Sequence, residues 1–128
     1  MNILAPISVG ELFDKITILE IKLENYDNPI KIAHVTNELN ELTKLATGIE
    51  ADVREEVAEL KEVNKIIWDN EDIAREYGSD KSYDLAFMAL AANTYRMNTR
   101  RAEVKQIINK KCNSNIVETK SYTSGEIK

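Results

Sequence analysis

Apolar residues recur at alternating spacings of three and four along most of the chain, which is the pattern of amphipathic helices. The first such seam consists of Val9, Leu12, Ile16, Leu19, Leu23 and Tyr26. Ser8 and Glu11 have the spacing of a capping box, so helix 1 is predicted to begin at Ser8. Pro29 cannot continue a helix and ends it. Ile21 lies off the seam, which indicates a second neighbour, and the apolar lead at residues 1–7 is expected to pack against the body.

The next two helices follow from the same spacing and from their flanking residues. Helix 2 is predicted to start at Pro29 with Asn28 as its N-cap and to stop at Gly48. Helix 3 is predicted over residues 52–77, with Gly78 as its C-terminal stop.

Helix 4 is predicted over Leu85–Lys111, and its first eight residues are apolar on every side. A helix of this kind must be buried all round, and four helices of one chain rarely enclose one member completely. We therefore expect a homo-oligomer. The predicted interface residues are Leu85, Met88, Ala89 and Ala92. The alternative is a helix at the centre of the monomer that the ends of the chain cover.

These elements predict an all-α fold, a bundle of about four helices in two helical hairpins. A single domain is expected over residues 1–128, with residues 112–128 as an extended arm or partly mobile tail. The turn at residues 78–82 would join helices 3 and 4, with Ser82 or Asp80 as the cap of helix 4. In that hairpin Asn64 is expected to lie opposite Arg96.

Composition limits the classes of function. The formal charge of −5 argues against a general nucleic-acid-binding surface. The single cysteine, Cys112, excludes an intrachain disulfide and fits a reducing compartment. Since the N-terminus lacks a secretory pattern and no apolar run approaches the length of a membrane span, we expect a cytoplasmic protein without membrane contact.

Charge is segregated between helices 3 and 4. Residues 96–111 hold six basic side chains and one acidic, whereas residues 50–84 hold twelve acidic and five basic. Arginine forks bind carboxylates and phosphates in a bidentate way. One interpretation is thus a site for an anionic metabolite, nucleotide or sugar nucleotide, with Glu71 as acceptor or general base. Its predicted residues are Asn64, Glu71, Arg75, Tyr95, Arg96 and Arg101. The other interpretation is that these arginines form ion pairs with helix 3 or with a second subunit.

Metal and nucleophilic chemistry have weaker signals. Carboxylate pairs at i, i+3 such as Glu59 and Glu62 suit Mg²⁺ and loosely resemble those of all-α nucleotide pyrophosphohydrolases. Similar pairs at Asp69 and Asp72 fall away from the apolar seam, so no metal or cofactor is expected. The single histidine, His34, lies on a polar face and is predicted to be solvated, and no catalytic Cys-His set can be assembled.

Four stretches carry a resemblance to a known family. They are residues 7–26 (ISVGELFDKITILEIKLENY), 64–75 (NKIIWDNEDIAR), 95–109 (YRMNTRRAEVKQIIN) and 114–122 (SNIVETKSY). Together they resemble a family of uncharacterised small proteins from bacteria, marine cyanobacteria and their phages, a domain of unknown function. The resemblance implies a phage or marine bacterial source, a single domain, and a tail at residues 118–122 that belongs to the folded unit. It implies no catalytic residues.

Function is thus not determined by the sequence. The favoured interpretation is a non-enzymatic helical interaction or assembly module that acts as a homo-oligomer with a protein partner. The alternative is a small helical bundle that binds or processes an anionic metabolite or nucleotide, with Mg²⁺ as a conceivable requirement.

Overall fold

Four helices make up the computed structural model, which describes residues 1–80 and 83–121, with backbone only for residues 79 and 80. The helices are α1 (Val9–Asn25), α2 (Pro29–Ala46), α3 (Arg54–Asp80) and α4 (Leu85–Lys111). Within the described ranges there is no strand. The α1–α2 and α3–α4 pairs are helical hairpins, so the predicted all-α bundle is confirmed.

The predicted starts of α1 and α2 are confirmed by their capping bonds. The Glu11 N–H donates to the Ser8 hydroxyl at 3.0 Å, and the Ile30 N–H donates to the Asn28 carboxamide oxygen at 2.9 Å. Pro29 occupies the first helical position, where its missing N–H costs nothing.

The predicted junction of α3 and α4 was wrong in two details. Helix α3 continues through Gly78 to Asp80. A glycine typically stops a helix by adopting a left-handed backbone conformation, and Gly78 has no positive φ. The N-cap of α4 is Asp84, whose carboxylate accepts from the Phe87 N–H at 3.0 Å. Ser82, one predicted cap, lies outside the described residues, and Asp80, the other, ends α3.

Helix α1 is central, because it packs against each of the other three helices, whereas α2 packs against α1 alone among the described elements. At about 100° per residue, its buried residues fall on two opposite faces. One face carries Leu12, Ile16 and Leu19, and the other carries Gly10, Asp14, Thr17 and Ile21. The expectation that α1 has more than one neighbour is confirmed.

The α3–α4 hairpin holds an apolar core at one end. Val53, Leu60, Val104 and Ile108 form a buried cluster, and the buried residues of α4 all belong to its last ten. The antiparallel register is close to that predicted, since Asn70 donates to Asn93 at 2.8 Å.

The other end of this hairpin extends past α1. The C-cap of α1, Tyr26, contacts Trp68 with ring centroids 6.2 Å apart, and α3 continues for about three more turns beyond Trp68. Phe87 packs against Tyr77 with centroids 5.5 Å apart at the tip. We call residues 69–78 and 83–92 the distal hairpin.

Neither end of the chain covers the distal hairpin in the described ranges. Leu85 and Met88 are 81% and 60% exposed. The apolar lead does not pack against the body, as Met1 and Leu4 are fully exposed, so that expectation was wrong. The start of α4 is therefore an exposed apolar surface in the single chain.

Candidate functional site

Asp14 on α1 is the centre of a buried polar network that joins three helices. It is 1% exposed. Arg101 of α4 donates from Nε and Nη2 to its two carboxylate oxygens, at 2.9 and 2.6 Å. Asn64 of α3 donates to the same Oδ1 at 2.9 Å and to the Thr17 hydroxyl at 3.0 Å. Thus the carboxylate has donors from both helices of the α3–α4 hairpin.

The environment keeps Asp14 ionised. Burial raises the pKa of its carboxyl, but the hydrogen bonds and charge of Arg101 act in the opposite direction, with help from Asn64 and Lys105. The net result is a pKa below the ordinary value of 3.8. The site thus holds a fixed negative charge beneath Arg101.

Close approach of α1 and α4 depends on Gly10. Its N–H donates to the Oδ1 of Asn109, which is buried, at 2.6 Å. A Cβ at position 10 would lie 2.6 Å from the backbone oxygen of Lys105, a distance that real Cβ atoms essentially never show. Glycine is therefore required for this crossing.

The C-terminal arm, residues 112–121, folds over the start of α1. The Val9 N–H donates to the Ser114 hydroxyl at 3.1 Å, and the Ser8 hydroxyl donates to Oε1 of Glu118 at 2.8 Å. Glu118 belongs to the tail that the family resemblance assigns to the folded unit, and Tyr122 lies outside the described residues. The arm thereby supplies one wall of a cavity.

That cavity, which we call the polar pocket, has a volume of about 220 Å³ between α1, α4 and the arm. The Lys105 ammonium lies 2.6 Å from the Glu11 carboxylate at its α1 side. The lining residues are Glu11, Asn98, Arg101, Ala102, Lys105, Gln106, Asn109, Glu118 and Lys120. Basic, acidic and amide side chains thus meet in one cavity.

Two of the six predicted ligand-binding residues share a partner in the structure. Asn64 and Arg101 meet at Asp14, so Asn64 bonds to α1 rather than to α4. The other four are exposed: Glu71, Arg75, Tyr95 and Arg96. Arg75 pairs with Asp72 on its own helix. Ligand binding by this set stays a prediction.

The interpretation that α4 pairs with the acidic face of α3 is confirmed for two residues. Arg100 donates to both carboxylate oxygens of Glu59 at 2.6 and 2.9 Å, and Lys111 donates to Glu56 at 2.8 Å. These bonds raise the pKa of Arg100 and of Lys111. Arg101, in contrast, pairs with α1.

Among the residues of the site that were missed from the sequence are three that α1 buries against the other helices: Gly10, Asp14 and Thr17. Their signal was a second helical stripe, since they are spaced by four and three and continue to Ile21, opposite the apolar seam. This stripe was not recognised because a packing face is identified by apolar residues, whereas Gly10, Asp14 and Thr17 are a glycine and two polar residues.

The structure also places the histidine, the cysteine and the acidic residues that were considered for other kinds of chemistry. His34 is exposed, as predicted. In residues 1–80 and 83–121 no group of three or more His, Cys, Asp or Glu side chains is placed to hold a metal ion. Burial raises the pKa of the Cys112 thiol. No helix in the described part of the chain is sufficiently long and apolar to cross a bilayer.

One family model matches residues 3–127, nearly the whole chain, and its description is a family of unknown function (DUF6165). The chain shows no significant similarity to a curated protein or to a solved structure.

Proposed function

Since this chain belongs to DUF6165, a family of unknown function, we propose its function from geometry: it is a non-enzymatic assembly module that acts as a homo-oligomer. Two copies pack through their distal hairpins. The observation that carries this proposal is the exposed apolar stripe on the first two turns of α4.

The stripe has the spacing of a helix-packing surface. Leu85, Met88, Ala89 and Ala92 stand at i, i+3, i+4 and i+7 and therefore share one face. All four are exposed in the single chain. The two alanines permit a close approach of helix axes, near the lower end of the usual 8–10 Å range.

The stripe also complements itself. In an isologous contact, residue i of one copy meets residue j of the other and the reverse. An antiparallel crossing of two α4 helices at the stripe centre sets Leu85 against the partner's Ala92, and Met88 against the partner's Ala89. Large side chains then meet small ones, which allows the two surfaces to interdigitate without a void.

The proposed setting is the cytoplasm, where Cys112 would remain a thiol. A further protein partner would then bind the assembled pair. A site for an anionic metabolite on the six predicted residues has less support, because two of them, Asn64 and Arg101, use their hydrogen bonds on Asp14.

Light scattering after gel filtration tests the assembly at two protein concentrations. We expect a mass of twice 14.6 kDa, and a shift to the monomer in a variant that carries Leu85→Glu and Met88→Glu. Leu45→Glu on α2 is the matched control, because Leu45 is 60% exposed, as is Met88. A wild-type monomer at both concentrations, or equal dissociation of the control, would contradict the proposal.

A further inference from the structure

We propose that the polar pocket binds a small zwitterion of the amino-acid type, a molecule with an ammonium and a carboxylate group only a few bonds apart. This site lies at the end of α4 opposite the distal hairpin and is independent of the proposed assembly. The argument rests on how the lining side chains are held, on their charges and on the size of the cavity.

The charged side chains of the pocket are positioned by partners behind them. Asp14 fixes the Arg101 guanidinium through two hydrogen bonds. The Ser8 hydroxyl holds the Glu118 carboxylate at 2.8 Å. Side chains that are locked by such supporting bonds lose little rotamer freedom when a ligand arrives, which is a feature of preorganised binding sites.

The amide wall is fixed in the same way. The Asn109 carboxamide accepts from the Gly10 N–H at 2.6 Å, so its orientation is set by the start of α1. The backbones of α1 and α4 are in close contact at this crossing, because the backbone oxygen of Lys105 lies 2.6 Å from the position that a Cβ of Gly10 would take. The cavity therefore lies between elements of defined spacing.

The charges of the lining select the ligand class. Three lining residues are basic and two are acidic: Arg101, Lys105 and Lys120, with Glu11 and Glu118. Lys105 pairs with Glu11, and Arg101 pairs with Asp14 behind it, so the two signs of charge are already balanced around the cavity. A simple anion or a simple cation would upset this balance, because its charge would also face groups of its own sign. A zwitterion presents an ammonium to the carboxylates and a carboxylate to the basic groups, so both of its charges meet a complementary partner.

The volume limits the ligand to a small molecule. Sites for drug-sized ligands measure about 300–1,000 Å³, and the polar pocket is smaller, at about 220 Å³. A free amino acid fits this size, whereas a nucleotide is too large to be enclosed.

A thermal-shift screen with the twenty L-amino acids, followed by titration calorimetry, tests the site on the full-length protein. Inorganic phosphate, succinate and putrescine serve as simple anions and a simple cation. We expect at least one amino acid to raise the melting temperature in a concentration-dependent way, and by more than any of these three compounds.

Two variants assign the binding to the pocket. Glu118→Gln removes a charge while its amide oxygen still accepts from Ser8, and Lys120→Gln removes a charge from the arm. Each substitution should raise the dissociation constant of the best-binding amino acid by about tenfold or more. This corresponds to the usual contribution of one hydrogen bond to a charged group. Glu62→Gln and Lys65→Gln, at exposed positions on α3, are matched controls and should bind as the wild type does.

Three results would overturn the proposal. The first is a screen in which no amino acid changes the melting temperature. The second is a greater stabilisation by phosphate, succinate or putrescine than by every amino acid. The third is wild-type affinity in both pocket variants.

Discussion

Arg101 of α4 and Asp14 of α1 form a bidentate ion pair in which both carboxylate oxygens accept from one guanidinium, at 2.9 and 2.6 Å. Asp14 is almost completely buried, whereas the Arg101 side chain reaches the polar pocket. The pair therefore connects the interior of the bundle with the candidate site. Its contribution to stability can be compared with that of an exposed ion pair.

Arg101→Ala should destabilise the protein strongly. The buried Asp14 carboxylate then keeps only the hydrogen bond from Asn64 and the charge of Lys105 at 3.9 Å, and breaking a buried pair costs up to about 3–5 kcal/mol. Arg100→Ala is a matched control, because Arg100 also makes a bidentate contact, with Glu59, but both side chains are about 40% exposed. Its loss should cost about 0–1 kcal/mol. Urea unfolding measures the free energy of unfolding of both variants. Equal losses would show that the buried Asp14–Arg101 pair stabilises the protein no more than the exposed Glu59–Arg100 pair does.

Acid should weaken the fold through Asp14. Its folded-state pKa lies below 3.8, so its stabilisation is complete above about pH 4 and is lost as the pH falls through the folded-state value. Asp14→Asn should therefore make the fall in the free energy of unfolding below about pH 4 shallower than in the wild type. Urea unfolding at a series of acidic pH values measures this slope.

Asp52 provides the comparison for that slope. The hydrogen bonds and charge of Arg54 lower the pKa of Asp52 to about 2, but both side chains are exposed to solvent. Solvent screens such a pair. Asp52→Asn should therefore change the fall in the free energy of unfolding at acidic pH less than Asp14→Asn does. A larger effect of Asp52→Asn would contradict the assignment of acid sensitivity to the buried pair.

The sequence predicted the helices well because their ends have local causes. The capping box at Ser8, the Asn28–Pro29 pair and the unbroken run of α4 each act within one or two turns. The end of α3 was not predictable in this way. Gly78 permits a left-handed stop but does not impose one, and in this fold α3 continues past it.

The candidate site was predicted only in part for a related reason. Asn64 and Arg101 were identified by type, but their common partner depends on how α1 is rotated against α3 and α4. Asp14 lies about 180° from the apolar seam of α1, where a surface helix would expose it. Its burial is a tertiary property, because α1 has neighbours on both faces.

Gly10→Ala should lower stability, and Gly78→Ala should raise it. At position 10 the new Cβ would lie 2.6 Å from the Lys105 backbone oxygen, and overpacking of this kind typically costs about 1–3 kcal/mol. At position 78, inside α3, a Cβ meets nothing within 4 Å. Alanine there should contribute up to about 1 kcal/mol through helix propensity.

Thermal and urea unfolding of the two glycine variants measure the difference. The pair is informative because both glycines lie in helices and both receive the same methyl group. Equal changes in the two variants would show that α1 and α4 adjust their spacing, and the crossing at Gly10 would then not be rigid.

Ser8→Ala should loosen both the start of α1 and the C-terminal arm. The Ser8 hydroxyl accepts from the Glu11 N–H and donates to Glu118. Loss of the cap costs about 1 kcal/mol, and loss of the second bond removes a link between α1 and the arm. Glu118→Ala breaks the second bond alone, so it should increase amide exchange in the arm while the first turn of α1 stays protected.

Hydrogen exchange read by mass spectrometry separates these outcomes, with Thr119→Ala at the neighbouring exposed position as the control. Ser8→Ala should increase exchange in both segments, Glu118→Ala in the arm, and Thr119→Ala in neither. The arm has a second attachment, the Val9 N–H to the Ser114 hydroxyl, so the loss of protection should be larger near Glu118 than near Ser114. If amide exchange in the arm were the same in all three variants, the Ser8–Glu118 bond would not hold the arm. The polar pocket would then lack a fixed wall.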